Sequence, residues 1–270
     1  MIEIVLAFLA GLLIGSFLNV CIFRLPRDLS VMKPARSFCP GCEETIAWYD
    51  NIPVLSYVLL RAKCRHCGER ISLRYPLVEL ATAIAFAGSV AVFGLSASAV
   101  KYAIFSAIMI TLIASDFEER ILPDEFTIGG AIAGLILAWF VPLQGEFALF
   151  IVPYSWGPHW ISECEALIGG AVSSGSIWGA GWLYQKFRHR EGLGFGDVKM
   201  IFMIGAFLGL PGALLTLIAA SLIGAIGGLL FIHFSGKDAS TYELPFGSFL
   251  GAAALAVAVY AETFARLHPR

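Results

Sequence analysis

Long apolar runs decide what this chain can fold into. They recur at about residues 4–23, 77–94, 99–116, 125–141, 162–185, 197–210, 212–234 and 247–265. A bilayer core takes roughly 20 apolar residues as one helix. The composition agrees: 58% of residues are hydrophobic and only 14% charged, with a mean hydropathy of +0.80. Average soluble domains carry roughly 25% charged residues. The expected fold is an all-α polytopic membrane protein of about eight transmembrane helices with one small module outside the membrane. The break between the sixth and seventh spans is expected at Pro211-Gly212.

Charge sets the orientation. Glu3 precedes the first run, and Arg24, Arg27, Lys33 and Arg36 follow it. A signal peptide would carry basic residues before a shorter apolar core. The positive-inside rule places the N-terminus outside and Arg24 in the cytoplasm. Segments 24–76, 117–124, 186–196 and 235–246 then face the cytoplasm, and with their helix ends they hold 15 of the 18 Lys and Arg residues. Trp139, Tyr154, Trp156 and Trp160 flank the opposite face and read as interfacial anchors. Glycine pairs four apart, Gly11/Gly15, Gly130/Gly134, Gly175/Gly179, Gly205/Gly209 and Gly224/Gly228, read as close helix packing.

Segment 24–76 contains Cys39-Pro-Gly-Cys42 and Cys64-Arg-His-Cys67. Four thiolates suit a tetrahedral Zn²⁺ with no open position, a structural rather than catalytic site. About 50 residues bury too little surface to fold unaided, so the metal is expected to supply much of the stability. Disulfides seldom persist in the cytoplasm. Gly41, within the first pair, and Gly68, after the second, suit tight turns. His66 reads as a solvated or supporting residue, and Cys21 and Cys164 as ordinary packed thiols.

Three carboxylates stand near span ends on the expected cytoplasmic face: Asp116 in "IASDFEER", Asp124 in "ILPDEF" and Asp197 in "GLGFGDVKM". Asp124 and Asp197 suit helix starts. Asp116 closes a helix, where the dipole disfavours negative charge, so it is no cap. Asp116 and Asp197 brought close could share one proton, one activating water and the other protonating a carbonyl oxygen. Gly192, Gly194 and Gly196 would let a substrate backbone lie against this helix end.

The chain resembles the bacterial type IV prepilin peptidases, bifunctional leader peptidase/N-methyltransferases. The likeness covers nearly the whole chain. "GSFLNVCIFRLP" resembles the first-span signature, the CxxC pairs the cytoplasmic zinc module, "SDFEERILPDEFT" and "GFGDVKM" the two aspartate motifs, and "ELPFGSFLGAAA" the last-span motif. The resemblance implies Asp116 and Asp197 as the catalytic pair, with Asp124, Gly194 and Gly196 in support. It implies a structural Zn²⁺ on Cys39, Cys42, Cys64 and Cys67. It implies cleavage of short basic leaders from prepilins and pseudopilins on the cytoplasmic side of the bacterial inner membrane, after a glycine. It further implies methylation of the new N-terminus from S-adenosylmethionine. Three segments follow: a first helix (1–23), the zinc loop (24–76) and a peptidase bundle (77–270). Membrane lipid is an expected partner and nucleic acid is not. Ser248 stands where the family more often has proline, and is expected to touch neither aspartate. An ion-coupled transporter is the rival class, since acids inside membranes often mark ion paths. It predicts acids near the midplane and paired repeats, and the sequence carries neither.

Overall fold

The structure is a computed structural model. It describes residues 1–143, 147–188, 194–235 and 245–267, with side chains to 228 in the third stretch and to 260 in the last. Gly192 and the Glu243-Leu244 start of the last motif lie outside the described residues. The described residues are helical, with no β-strand beyond isolated bridges at Phe38–Thr45 and Lys63–Arg70. The chain divides into two compact units, Met1–Ser115 and Asp116–Arg270.

In the first unit, α1 (Ile2–Arg24) leads through a 3-10 turn into the cysteine loop. The loop carries a second 3-10 turn (Trp48–Asn51) and the short α2 (Leu55–Leu59). It returns to α3 (Arg74–Phe93), and α4 begins at Ala97. Gly11 and Gly15 explain why α1 and α3 associate. A methyl group at Gly11 would sit 2.6 Å from the Ala83 Cα, and one at Gly15 would sit 2.7 Å from the Glu79 Cα. The two backbones therefore touch, which is how helices gain contact where lipid removes the hydrophobic drive. Arg24 ends α1 with its guanidinium buried. It donates to the carbonyls of Ser30, Val31, Pro34 and Arg36 at 2.8–3.2 Å. One side chain thus satisfies the chain's first turn outside the helix.

The second unit starts in the last turn of α4, which runs Ala97–Glu119. It continues with α5 (Asp124–Phe140), α6 (Pro158–Arg188), α7 (Phe195–Ser235) and α8 (Phe246–Leu267). The break in α7 falls at Gly209 (φ 72°, ψ 179°), not at Pro211-Gly212. Glycine takes the left-handed turn at no steric cost. Pro211 then opens the second half, since a proline is tolerated in a helix's first turn.

The glycine pairs divide on inspection. Gly205 lies against the backbone of Gly169, and a methyl group on Gly169 would meet the Gly209 carbonyl carbon at 2.7 Å. Gly134 faces Phe207 just as closely, at 2.8 Å. Gly175 and Gly179 were expected to pack, but each has nothing within 4 Å of the position a Cβ would take. Gly224 meets Phe249 at an ordinary 3.6 Å. Of the aromatic residues read as anchors, Trp139 and Trp160 meet edge to face at 5.2 Å, and His159 stacks on Trp139.

Among the described residues, four helical stretches are long and apolar enough to cross a membrane: Ile2–Arg27, Arg74–Phe93, Ala97–Glu119 and Phe195–Gly228. Phe246–Tyr260 is apolar but shorter. At 17 residues, α5 is also short.

Candidate active site

The site grows from three helix ends of the second unit. Asp116 lies in the last turn of α4 and is only 6% exposed. Its backbone carbonyl accepts from Arg120, which turns left-handed (φ 57°) and stops the helix. Residues 121–123 cross to α5, whose first residue is Asp124. The chain returns at α7, where the Asp197 amide donates to the Gly194 carbonyl at 3.1 Å. Asp197 is half-buried in the first turn.

Asp116 is held from α8. One carboxylate oxygen accepts from the Ser248 amide at 2.6 Å and from its hydroxyl at 2.8 Å. Ser248 was expected to touch neither aspartate; instead it is the polar group bound to one of them. The reason is its place in the first turn of α8. The first amides of a helix have no partner inside it and carry partial positive charge. A proline at that position would offer neither donor.

Leu122 joins these pieces. A methyl group on Gly247 would sit 3.0 Å from the Asp116 carboxyl carbon and 3.1 Å from Leu122. One on Gly196 would sit 3.2 Å from Leu122. Both glycines are therefore places where α7 and α8 close on one leucine. Asp116 lies against Gly247 at that contact, and Asp197 follows directly after Gly196. The position of a Gly194 Cβ is 3.5 Å from the Asp197 carboxylate, an ordinary contact distance.

Asp124 sits apart in character. Its side chain is 58% exposed and forms an ion pair with Lys199. Lys199 also stands over the Phe195 ring at 5.5 Å. The pair ties the start of α5 to the start of α7. Lys199, Leu122, Gly247 and Ser248 were not singled out from sequence as site residues. The one available signal was "PFGS", a glycine and a hydroxyl at a helix start.

The cysteines form a second centre in the first unit. The Sγ atoms of Cys39, Cys42, Cys64 and Cys67 all lie within 4.8 Å of one another, with Cys39 and Cys67 at 3.8 Å. A tetrahedral Zn²⁺ with bonds of about 2.3 Å requires sulfurs about 3.8 Å apart, so the donor set fits. The halves are built alike. The Cys39 amide donates to Glu44 at 3.0 Å and the Cys64 amide to Glu69 at 2.8 Å. The residue after each second cysteine turns left-handed: Glu43 (φ 58°) and Gly68 (φ 74°). The first knuckle thus turns at Glu43, not at Gly41, because both knuckles need the turn after the CxxC. The amides of Cys67 and His66 draw the Cys64 thiol down to about 6, so Cys64 loses its proton ahead of Cys42 and Cys67, whose thiols lie above the usual range. Arg65 grips Asp50 through two hydrogen bonds of 2.7 and 2.6 Å and holds its carboxyl below the usual range. His66 is exposed, and neither Cys21 nor Cys164 joins the cluster.

Residues 9–93 match the family model described as bacterial Peptidase A24 N-terminal domain, and residues 103–229 match that of the type IV leader peptidase family. A protein of Xanthomonas campestris named prepilin leader peptidase/N-methyltransferase is 33% identical over 90% of this chain and 86% of its own length. The chain belongs to the type IV leader peptidase family. Its members are aspartic peptidases. A second relative of the same name, from Burkholderia pseudomallei, is 33% identical over 97% of this chain and 87% of its own. A third, from Myxococcus xanthus, is 39% identical over 86% of this chain, which spans 64% of that protein. No solved structure matches the chain. In this family member the N-terminal match takes in α1 from residue 9 onward, the four cysteines and α3, and the peptidase match takes in all three aspartates.

Proposed function

We propose that this chain cleaves the leader peptides of prepilins and pseudopilins with Asp116 and Asp197, and then methylates the new N-terminus. The observation that carries the reading is one buried and one half-buried carboxylate on two helix ends, Asp116 beside Gly247 and Asp197 next after Gly196, two glycines that both close on Leu122. Like charges so placed share a proton more readily than both ionise. The ionised carboxylate takes a proton from water, whose oxygen attacks the scissile carbonyl. The protonated one donates to the carbonyl oxygen. Collapse of the tetrahedral intermediate breaks the C–N bond, and the departing amine takes up the proton. Asp124 supports the site through Lys199. S-adenosylmethionine supplies the methyl group when bound, and Zn²⁺ on Cys39, Cys42, Cys64 and Cys67 holds the loop.

The reading includes eight membrane-spanning segments in the bacterial inner membrane, the second half of α7 being one of them. The N-terminus lies outside and the aspartates on the cytoplasmic side. It divides the chain into a first helix (1–23), a zinc loop (24–76) and a peptidase bundle (77–270).

Incubating the purified protein with a prepilin and the methyl donor should give a product lighter by the leader and heavier by one methyl group. An unchanged prepilin mass would contradict the assignment. Ser248 gives a finer test. Ser248→Ala keeps the amide bond to Asp116 but loses the hydroxyl one. Hydrogen bonds to charged groups are worth about 1.5–3 kcal/mol, so kcat should fall by about ten- to a hundredfold. An unchanged kcat would show that the hydroxyl only packs.

A further inference from the structure

The cysteine loop presents an apolar face that no described residue covers. In α2, Leu55, Val58 and Leu59 stand three and four residues apart, on one side of the helix. Val58 and Leu59 are 65% and 70% exposed. The other side is tied down at Ser56, which is buried. Its hydroxyl accepts from the Ile52 amide at 3.0 Å and donates to the Tyr49 carbonyl at 2.9 Å, fastening the preceding 3-10 turn to α2. That turn opens with Trp48, 80% exposed and edge to face with Tyr49. After Leu60 the character changes. From Leu55 to Arg74 the chain carries five basic residues, Arg61, Lys63, Arg65, Arg70 and Arg74, against one acid, Glu69.

Both ends of α2 are pinned to α3. Val54 precedes α2 with φ 61°, a region unfavourable for a β-branched residue, and its amide donates to Glu79 at 2.7 Å. Glu79 is buried, five residues into α3, about 7.5 Å along the helix from Arg74. Just past α2, the Ala62 carbonyl accepts from the Ile71 amide at 2.8 Å, and Ile71 stands three residues before α3. So α2 is held beside the first turns of a helix long and apolar enough to cross a membrane.

We propose that α2 and Trp48 lie in the headgroup layer of an anionic phospholipid bilayer, with Arg61 and Lys63 toward its phosphates. The inference rests on the reading above that α1 and α3 cross that bilayer. A helix entering a bilayer carries its first turns through the headgroup layer, so whatever is pinned beside them meets lipid. Apolar side chains kept on water at that level are unfavourable. One apolar face flanked by cations is the pattern of a helix that lies in the interface. Tryptophan concentrates in the same layer, and basic residues close to a span are drawn to anionic lipid. Cys64 is two residues beyond Ala62, so the same pins hold the cysteine centre at the membrane surface.

The test uses the full chain, one copy per nanodisc, in phosphatidylglycerol carrying a diazirine near the glycerol end of one acyl chain. Irradiation attaches lipid to whatever touches the upper acyl layer, and mass spectrometry of the digested chain maps the adducts. One copy per disc removes a second chain as the cover. Adducts are expected on residues 48–59 as well as on the exposed faces of α1 and α3. Phosphatidylcholine with the same diazirine should lower the yield on 48–59 about threefold and leave α1 and α3 unchanged. Arg61→Gln combined with Lys63→Gln should give the same loss in phosphatidylglycerol. Val58→Asp combined with Leu59→Asp should lower it about tenfold, since a charge at each position opposes insertion. The wild-type map needs no variant to fold. An unlabelled 48–59 beside labelled α1 and α3 would overturn the proposal, whether that face meets water or another part of the chain. So would a yield on 48–59 that is equal in the two lipids. Absence of label on α1 and α3 would instead overturn the membrane-spanning reading, and the lipid site with it.

Discussion

Asp116→Asn and Asp197→Asn are each expected to abolish leader cleavage, by about 10³-fold or more in kcat, while the protein stays folded. General acid-base catalysis by one positioned group contributes about 10²–10⁴-fold. Here each carboxylate needs the other, because one must be ionised while its neighbour carries the proton. The amide side chain has nearly the same shape, and at position 116 its oxygen can still accept from Ser248, so the fold should survive. Asp124→Asn should be milder, lowering cleavage by less than about tenfold. Its ion pair with Lys199 is largely exposed, and exposed pairs are worth about 0–1 kcal/mol. Gel shift of a prepilin reads all three. Full cleavage by either Asp116→Asn or Asp197→Asn would remove that residue from the reaction.

The second large effect concerns the metal. One Zn²⁺ per chain is expected on the four sulfurs. Cys→Ser at Cys39, Cys42, Cys64 or Cys67 should release it, since structural zinc contributes folding free energy directly. The first unit should then lose protection of its loop against protease, while the second unit keeps its packing. Methyl transfer should fall more than proteolysis, because both aspartates lie in the second unit. Cys42→Ser supplied with an already cleaved pilin separates the two activities. Normal methylation in a chain that has lost its zinc would detach the loop from methyl transfer. Zinc-free but fully active wild type would overturn the metal's role altogether.

What the sequence made legible was the chemistry carried by rare residues. Four cysteines in two CxxC pairs pointed to one cluster, and their sulfurs do gather within 4.8 Å of one another in an arrangement that could hold a metal. Asp116 stood out because a negative charge at a helix C-terminus lacks a local excuse. The break in α7 was visible from Pro211, yet the exact residue was not. Proline marks that a helix must restart, while the left-handed turn can fall on any nearby glycine, and here it fell on Gly209. Glycine spacing misled at Gly175 and Gly179, because a small residue permits close approach without supplying a neighbour. Ser248 was missed for a related reason. Its contact with Asp116 spans 132 residues of chain. Only the packing of α8 reveals that a helix start points at a carboxylate. Lys199 likewise finds its partner, Asp124, across 75 residues of chain.

The central claim is that Asp116 and Asp197 form one reacting unit, and a double substitution tests it most directly. Residual cleavage is measured for Asp116→Asn, Asp197→Asn and the two combined, under single-turnover conditions with one prepilin. Groups that act as a unit are grossly non-additive. All three variants should therefore share the same residual rate, with the second substitution costing nothing further. If the losses instead multiply, the two carboxylates contribute independently, and the shared-proton mechanism is wrong.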